Sequence, residues 1–340
     1  MESLTAHSKI WFLVASAKDL PAGARRPVRV AGKRLVVFRA ETGEVSALDD
    51  RCPHRGVSLS GGQVTGNTLV CPYHGLRFDG QGECKKMPCS VTPGEESSYK
   101  KIRAYAAIEA DASIWVNLSD SPQPFCSAWP QLDASYRHFE QVNLVRARVP
   151  EILENFVDCG HTGFVHAGLF RGEPNREVDV TVRRQNWDVW IETLGEKDTS
   201  GIMMKMLNPD KEPMVHVDRF LPPFAIRVDY RAGNYHMVST SICLPHEEFL
   251  TTIFTRIYLN AGVVTLPYLK IVEHMTHKIL QQDKVILEDQ ASNLKEDPTF
   301  KSQFLKTDRP VTTVLKAYKD FLESKDGPSD VLTHAFRMKI

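Results

Sequence analysis

Two short stretches of the chain hold the residue types that bind transition metals. They read Cys52-Pro53-His54-Arg55-Gly56 and Cys71-Pro72-Tyr73-His74-Gly75. Thiolate is a soft donor and imidazole a borderline one, a combination that suits a transition metal. A structural zinc site usually draws on Cys-x2-4-Cys and His-x3-5-His pairs. Here each stretch supplies one cysteine and one histidine, as Cys-x-His and Cys-x2-His. That order lets both thiolates hold one iron and both imidazoles a second, bridged by sulfide. A zinc ribbon of unusual spacing is the alternative within the metal class, and four unrelated buried residues the bland one.

A second group lies further on. Asn155, Asp158 and His161 are spaced i, i+3, i+6 and can share one face of a helix entered after Pro150. His166 is five residues beyond His161, about 140° round an ideal helix, so an unbroken helix would not aim both imidazoles at one ion. Gly160 and Gly163 offer a place to bend it. From Pro267 to Leu294 the period is helical, with Val272, Met275, Ile279, Ile286 and Gln290 on one face and Asp283 among them. A carboxylate on an apolar face needs a partner, because burying a lone charge is expensive. If the first helix bends, His161, His166 and Asp283 make a two-His, one-carboxylate triad of the kind found in non-haem Fe(II) oxygenases. Two neighbouring histidines alone are more often packed or surface residues.

The longer stretches LDDRCPHRGVSLSGG and LVCPYHGLRFDGQGEC resemble the cluster loops of Rieske non-haem iron oxygenases. Asn155-x2-Asp158-x2-His161-x4-His166 and Gln282-Asp283-Lys284-Val285-Ile286-Leu287-Glu288-x-Gln290 are similar to the catalytic domain of the same family, so the resemblance spans nearly the whole chain. It implies an α+β protein: an N-terminal all-β Rieske domain and a C-terminal helix-grip catalytic domain, an antiparallel sheet with a long helix. It also implies one 2Fe-2S cluster on Cys52, His54, Cys71 and His74, and one mononuclear Fe2+ on His161, His166 and Asp283. Asn155 would stand near that iron. Asp158 would bridge electron flow from the cluster of a neighbouring subunit in a head-to-tail homotrimer, although a helix-stabilising acid is its plain structural role.

The implied reaction uses O2 and electrons from NAD(P)H, delivered by a separate ferredoxin or flavin reductase. The chain has no G-x-G-x-x-G fingerprint and no plant-type Cys-x4-Cys-x2-Cys run of its own. The substrate is a small organic molecule, aromatic or cyclic. A compact single-subunit chain resembles the branch in which hydroxylation and oxidative O- or N-demethylation are frequent; cis-dihydroxylation of an aromatic ring is the alternative. A Rieske or zinc-containing electron-transfer or binding protein, which needs only the first site, is the alternative of another class.

The elements that must position these residues are also visible. IWFLVA, PVRV, RLVVFR and VSALD, divided by turns at Ala31-Gly32-Lys33 and Glu41-Thr42-Gly43, read as short strands of a small antiparallel domain with the cluster loops at its tips. KIRAYAAIE and SIWVN continue it. Between Leu118 and Pro130 the composition turns to Ser, Pro, Asp and Gln, which divides residues 1–130 from 131–340. A strand-like stretch from Tyr136 to Val149 opens the second domain. EVDVTVRR, WDVWIETL, FAIRVDYRA, YHMVSTSICL and LTTIFTRIYL then suit one extended antiparallel sheet.

The loop from Gly201 to Leu221, with Met203, Met204, Met206, Phe220 and Phe224, suggests an adaptable apolar pocket or simply sheet core. Arg219 or Arg227 could meet a substrate carboxylate, or pair only with Asp218 or Asp229. Forty-two basic and forty-two acidic residues leave no global field favouring nucleic acid or an anionic membrane. The start of the chain has no signal-type or membrane-spanning run, and seven cysteines, an odd number, argue for reduced thiols, so a cytoplasmic protein is expected. Cys84, Cys89, Cys126, Cys159 and Cys243 then read as buried or half-buried thiols outside the ligand set.

High-potential Rieske proteins of respiratory complexes resemble this chain at the ligands but carry an extra, disulfide-forming cysteine in each loop. Here the loops continue with Val57 and present Tyr73. With fewer donors to the sulfurs, the cluster should titrate in the lower part of the about −150 to +300 mV Rieske range. Redox titration of the visible spectrum checks this, and a midpoint in the upper, respiratory part of the range would refute it.

Overall fold

In the computed structural model of the protein, residues 4, 7–92, 94–169, 177–196, 201–209 and 211–340 are described, without the side chains of residues 204, 207 and 263. The chain divides into two compact units, Met1–Ser127 with Leu244–Glu247, and Ala128–Cys243 with Glu248–Ile340.

The first unit is built from β1 (Phe12–Ser16), β2 (Arg25–Val30), β3 (Lys33–Arg39), β4 (Val45–Asp49), β5 (Gln63–Thr65), β6 (Thr68–Val70), β7 (Arg77–Phe78), β8 (Cys84–Lys86), β9 (Ala104–Ala110) and β10 (Ser113–Asn117). One sheet runs β1-β10-β9-β4-β3-β2 and a smaller one β5-β6-β7-β8. The β2–β3 turn is a two-residue loop in which Ala31 and Gly32 both take positive φ, 47° and 84°, the twist that a tight hairpin requires. The glycine-containing interval between the two Cys/His stretches, which carries no strand signal of its own, forms the β5–β6 hairpin. Val36, Phe38, Leu48, Leu59, Leu69, Leu76 and Phe78 pack into a core that also takes in Cys52, Cys71 and Cys84.

The second unit holds β11 (Arg137–Val145), β12 (Glu177–Gln185), β13 (Asp188–Leu194), β14 (Val215–Leu221), β15 (Ala225–Ala232), β16 (Tyr235–Glu247), β17 (Leu250–Asn260) and β18 (Leu332–Lys339). They form one antiparallel sheet in the order β11-β17-β16-β15-β14-β13-β12-β18. Its helices are α1 (Val149–Val157), the single turn α2 (Thr162–Val165), α3 (Ile202–Leu207), the long α4 (Thr265–Glu296) and α5 (Arg309–Leu322). α4 packs against β11, joining Val272 and Met275 to Phe139, Tyr230, Met237 and Ile257 in one core. Among the described residues no helix is long and apolar enough to cross a membrane.

Four expectations change here. The strand opening this unit stops at Val145, and Val149 already belongs to α1, with Pro150 in the first turn where its missing N–H costs nothing. The expected loop from Gly201 contains α3 and β14. On α4, Ile286 faces solvent and Leu287 is buried; from Asp283 both +3 and +4 suit a 3.6-residue period, and packing selects +4. Cys89 and Cys126 are exposed, while Cys84, Cys159 and Cys243 are buried; all seven cysteines are free.

A buried ion pair ties α5 to the sheet. Arg184 Nη2 lies 2.6 Å from Asp320 Oδ2, and Lys316 Nζ lies 2.7 Å from Oδ1. Burial opposes the charge on Asp320, yet Lys316 and Arg184 hold its carboxyl below the usual carboxylate range. Asp320→Ala strands a buried guanidinium and should cost about 3–5 kcal/mol in urea unfolding. In the wild type this contribution is complete above the unfolded value of about 3.9 and is lost as pH falls through the lower folded value. Acid titration of the unfolding free energy should show that loss in the wild type and not in the variant.

Candidate metal centres

The two Cys/His stretches fold into matching loops. Cys52 N–H donates to the Val57 carbonyl (2.8 Å) and Gly56 N–H returns to the Cys52 carbonyl (2.9 Å); Cys71 with Leu76 and Gly75 with Cys71 repeat the pattern at 2.8 and 3.1 Å. Gly56 and Gly75 have φ of 76° and 70°, a conformation that a Cβ would strain. The second loop is the tip of the β6–β7 hairpin, where Val70 pairs with Arg77. Cys52 and Cys71 are buried, whereas His54 is exposed and His74 half-buried. The two Nδ1 atoms face one another across 3.1 Å. Burial pushes the Cys52 thiol up to about 11, opposed by the backbone N–H groups of His54 and Arg55 and reinforced by the neighbouring Cys71 sulfur. Two adjoining thiols inside and two facing imidazole nitrogens outside form a donor set that fits a 2Fe-2S cluster with its thiolate-held iron buried and its imidazole-held iron toward solvent.

The second group comes together by a break in the helix. α1 ends at Val157, and Asp158 adopts an extended ψ of 100°. Asp158 Oδ1 accepts the Gly160 N–H at 2.8 Å, and Thr162 Oγ1 donates to the Cys159 carbonyl at 2.9 Å. At Gly160 a Cβ would lie 3.1 Å from Asp158 Oδ1, so a larger residue would crowd the capping carboxylate. Asn155, Asp158 and His161 therefore do not share a single helical face, as their spacing suggested. The break takes the place of the expected bend and turns both imidazoles toward α4.

There His161 Nε2 and His166 Nε2 approach the same oxygen of Asp283, at 3.5 and 3.0 Å. Asn155 Nδ2 donates to that oxygen at 3.2 Å. His166 Nδ1 meets Gln282 Oε1 at 2.9 Å, which fixes its ring and leaves Nε2 for the site. On the far side of His161, Nδ1 lies 3.6 Å from Asp158 Oδ2, and the Asp158 side chain is 40% exposed. Burial disfavours the charge on His161, but Asp158 and Asp283 raise it to about 9; burial likewise opposes Asp283, which His161 and His166 lower to about 2. These are the electrostatics of a site built for a cation: a divalent metal would displace the His161 proton, so its affinity should weaken as pH is lowered. One donor atom from each of His161, His166 and Asp283 lies within 4.8 Å of the other two, a grouping that fits a single ion held from one side.

The same three residues line a cavity of about 140 Å³, together with Phe156, Met203, Ile226, Val228, Tyr230 and Ile257. An apolar cavity of about 150 Å³ accepts benzene, so this one is on the scale of a single ring. Of the expected pocket residues, Met203 lines it. Phe220 and Phe224 are buried elsewhere, Met206 packs on the core, and the Met204 side chain lies outside the described residues. Arg219 contacts Asp188 (3.5 Å) and Trp190, and Arg227 pairs with Asp229 (2.8 Å); both line a different groove. His216 and Asp218, which the sequence reading passed over as site residues, are in the cavity wall. A signal existed: a His-x-Asp pair in phase with the large apolar Phe220.

A cavity beside two imidazoles and a carboxylate, carried by an antiparallel sheet and a long helix, has the donor set of a mononuclear metal enzyme, the set that non-haem iron oxygenases use. Comparison with known families gives the particulars. Residues 10–106 match the Rieske [2Fe-2S] domain, and residues 145–323 match the vanillate O-demethylase oxygenase C-terminal domain. The chain belongs to the Rieske oxygenase family, whose members carry a 2Fe-2S cluster and a mononuclear iron.

Cholesterol 7-desaturase from Hemicentrotus pulcherrimus is 33% identical over 175 residues, 48% of this chain and 36% of the relative. The oxygenase component of dicamba O-demethylase from Stenotrophomonas maltophilia is 32% identical over 162 residues, 46% of each. These alignments thus span less than half of the curated relatives they match. The structure of dicamba monooxygenase bound to dicamba shares the fold, with a TM-score of 0.80, 21% identity and coverage of 93% of this chain and 98% of that one.

Gln282→Leu removes the contact that orients His166. Iron affinity at the mononuclear site should fall about 10–100-fold by chelator competition while the cluster absorption persists. Equal loss at both centres would mean that Gln282 supports the fold generally.

Proposed function

We propose that this chain is the terminal oxygenase of an electron-transfer system that oxidatively demethylates or hydroxylates a small ring compound. The observation that carries the proposal is the convergence of His161, His166 and Asp283 at the wall of a ring-sized cavity, in a chain whose other unit presents two matched Cys/His loops. Iron held by His161, His166 and Asp283 would supply O2 activation when supplied with electrons through the cluster on Cys52, His54, Cys71 and His74. For an aryl methyl ether the balance is R–OCH3 + O2 + 2e− + 2H+ → R–OH + HCHO + H2O. The protein's residues hold the ring against apolar walls, orient His166 through Gln282, and keep Asp158 beside His161 at the protein surface. The matched oxygenase C-terminal domain and the relative named an O-demethylase favour demethylation over ring dihydroxylation.

The electron pair comes from NAD(P)H through a separate reductase. Arg51, Arg55, Lys100 and Lys101 line a groove with Cys52 and His54, a surface that suits an acidic donor protein. Asp158 bridges the electron path from the cluster of a neighbouring copy to the iron beside His161, in a working unit that is a homotrimer. Residues 1–130 serve as the electron relay and 131–340 as the catalytic domain. Free cysteines accord with a reducing cytoplasm.

The purified chain should be brown, hold about three irons, and consume O2 with release of formaldehyde when a surrogate reductase, NADH and a panel of methoxyarenes and N-methyl compounds are supplied. One zinc without visible absorption would end the proposal. Asp158→Asn should abolish single-turnover transfer from the reduced cluster with both centres still loaded. Unchanged transfer would remove Asp158 from the electron path.

A further inference from the structure

The cavity wall carries a second set of buried charges, apart from the metal donors. On β14 the buried positions are His216, Asp218 and Phe220, while Val215 on the opposite phase is 43% exposed, so two ionisable residues take inner positions and leave a valine outside. Placing an ionisable pair on the inner face of a sheet costs free energy that two valines would not, so its retention calls for a task. His216 Nε2 lies 3.1 Å from Asp218 Oδ1 and its Nδ1 lies 3.3 Å from Glu196 Oε2, with the Tyr230 ring stacked on the imidazole at 4.2 Å. All three charged side chains are at most 2% exposed.

Both ring nitrogens thus face carboxylates, Nε2 in a hydrogen bond to Asp218 and Nδ1 at ion-pair distance from Glu196. Asp218 and Glu196 raise this imidazole to about 9 even though burial, the largest influence, works the other way. Cys159 and His216 also offer donor atoms within 4.8 Å of Asp218, as an ion would need. A metal there would have to strip a proton that two carboxylates hold, which argues against a second ion. The unused acceptor capacity is on Asp218: Oδ1 takes the imidazole N–H, while Oδ2 faces the Cys159 thiol at 4.0 Å, a weak donor at long range. Ser239 and Ser241 line the same cavity and add neutral hydrogen-bonding groups.

We infer that Asp218 is the specificity-determining anchor of this cavity, selecting a single-ring substrate that presents a hydrogen-bond donor, an amine or hydroxyl, and disfavouring one that presents a carboxylate. His216 and Glu196 are positioning residues: they fix the Asp218 carboxylate and leave its Oδ2 edge for the ligand. A charge-assisted hydrogen bond made out of water is stronger than one made in it, and a carboxylate brought against Asp218 would meet a like charge. The inference rests on reading this cavity as the oxygenase substrate site.

The test uses the iron-loaded holoenzyme and three probes of one shape, 3-methoxybenzylamine, methoxybenzene and 3-methoxybenzoate, titrated by calorimetry. The amine should bind about tenfold or more tighter than methoxybenzene, and the benzoate weakest. Asp218→Asn should bring the amine to within about twofold of methoxybenzene, leave methoxybenzene binding unchanged, and be reversed by Asp218→Glu. Benzoate binding as tightly as the amine, a preference that survives Asp218→Asn, or no binding of any probe would each overturn the assignment. The wild-type order decides the matter if the variants do not fold. Iron content and cluster absorption of the same samples report separately on the oxygenase reading: a brown, three-iron protein that prefers the benzoate refutes the anchor alone.

Discussion

The catalytic unit is arranged around one carboxylate in a place where a carboxylate is costly. Asp283 sits on the buried face of α4, between Val272 and Met275 on one side and Leu287 and Ala291 on the other. Left alone it would be a liability of several kcal/mol. Two imidazoles and an amide, from a segment more than a hundred residues earlier, converge on one of its oxygens. The helix break between Val157 and Thr162 exists in a form that serves this convergence, and α4 must lie against β11 with the right face inward for it to occur. A divalent cation would complete the arrangement, because it would replace a shared proton with a stronger and more directional partner.

The first unit solves a different problem with local means. Each of its Cys/His loops is closed by two backbone hydrogen bonds and a glycine of positive φ. The thiols point into an apolar core and the imidazoles point away from it. This polarity suits an electron relay: the buried end is insulated, and the exposed end can meet a donor protein. The loop closures are local, while the burial of the thiols draws on Val36, Phe38 and Leu48 from other strands.

The cavity between these demands is mostly apolar, yet it retains polar groups at chosen points. His216, Asp218, Ser239, Ser241 and Asp158 are among the polar groups that this cavity wall keeps beside the metal donors. A wall built only for core packing would carry apolar residues at these positions.

By itself the sequence determined whatever depends on neighbours in the chain. The Cys-x-His and Cys-x2-His loops, the Ala31-Gly32 hairpin and the helical period around Asp283 were all legible, because turn geometry and side-chain period act over a few residues. The antiparallel sheet followed from the strand-like runs, although β14 and β18 went unread and the β5–β6 hairpin left no signal above its polar composition. Tertiary structure decided the rest. Spacing on an ideal helix put Asn155, Asp158 and His161 on one face, whereas the helix ends before Asp158 and a carboxylate-capped turn re-aims the histidines. Period alone could not choose Ile286 or Leu287, and nothing local showed that β14 turns His216 and Asp218 inward with Phe220. In each case the local preferences differ little, and burial of apolar area, which is summed over the whole unit, sets the outcome.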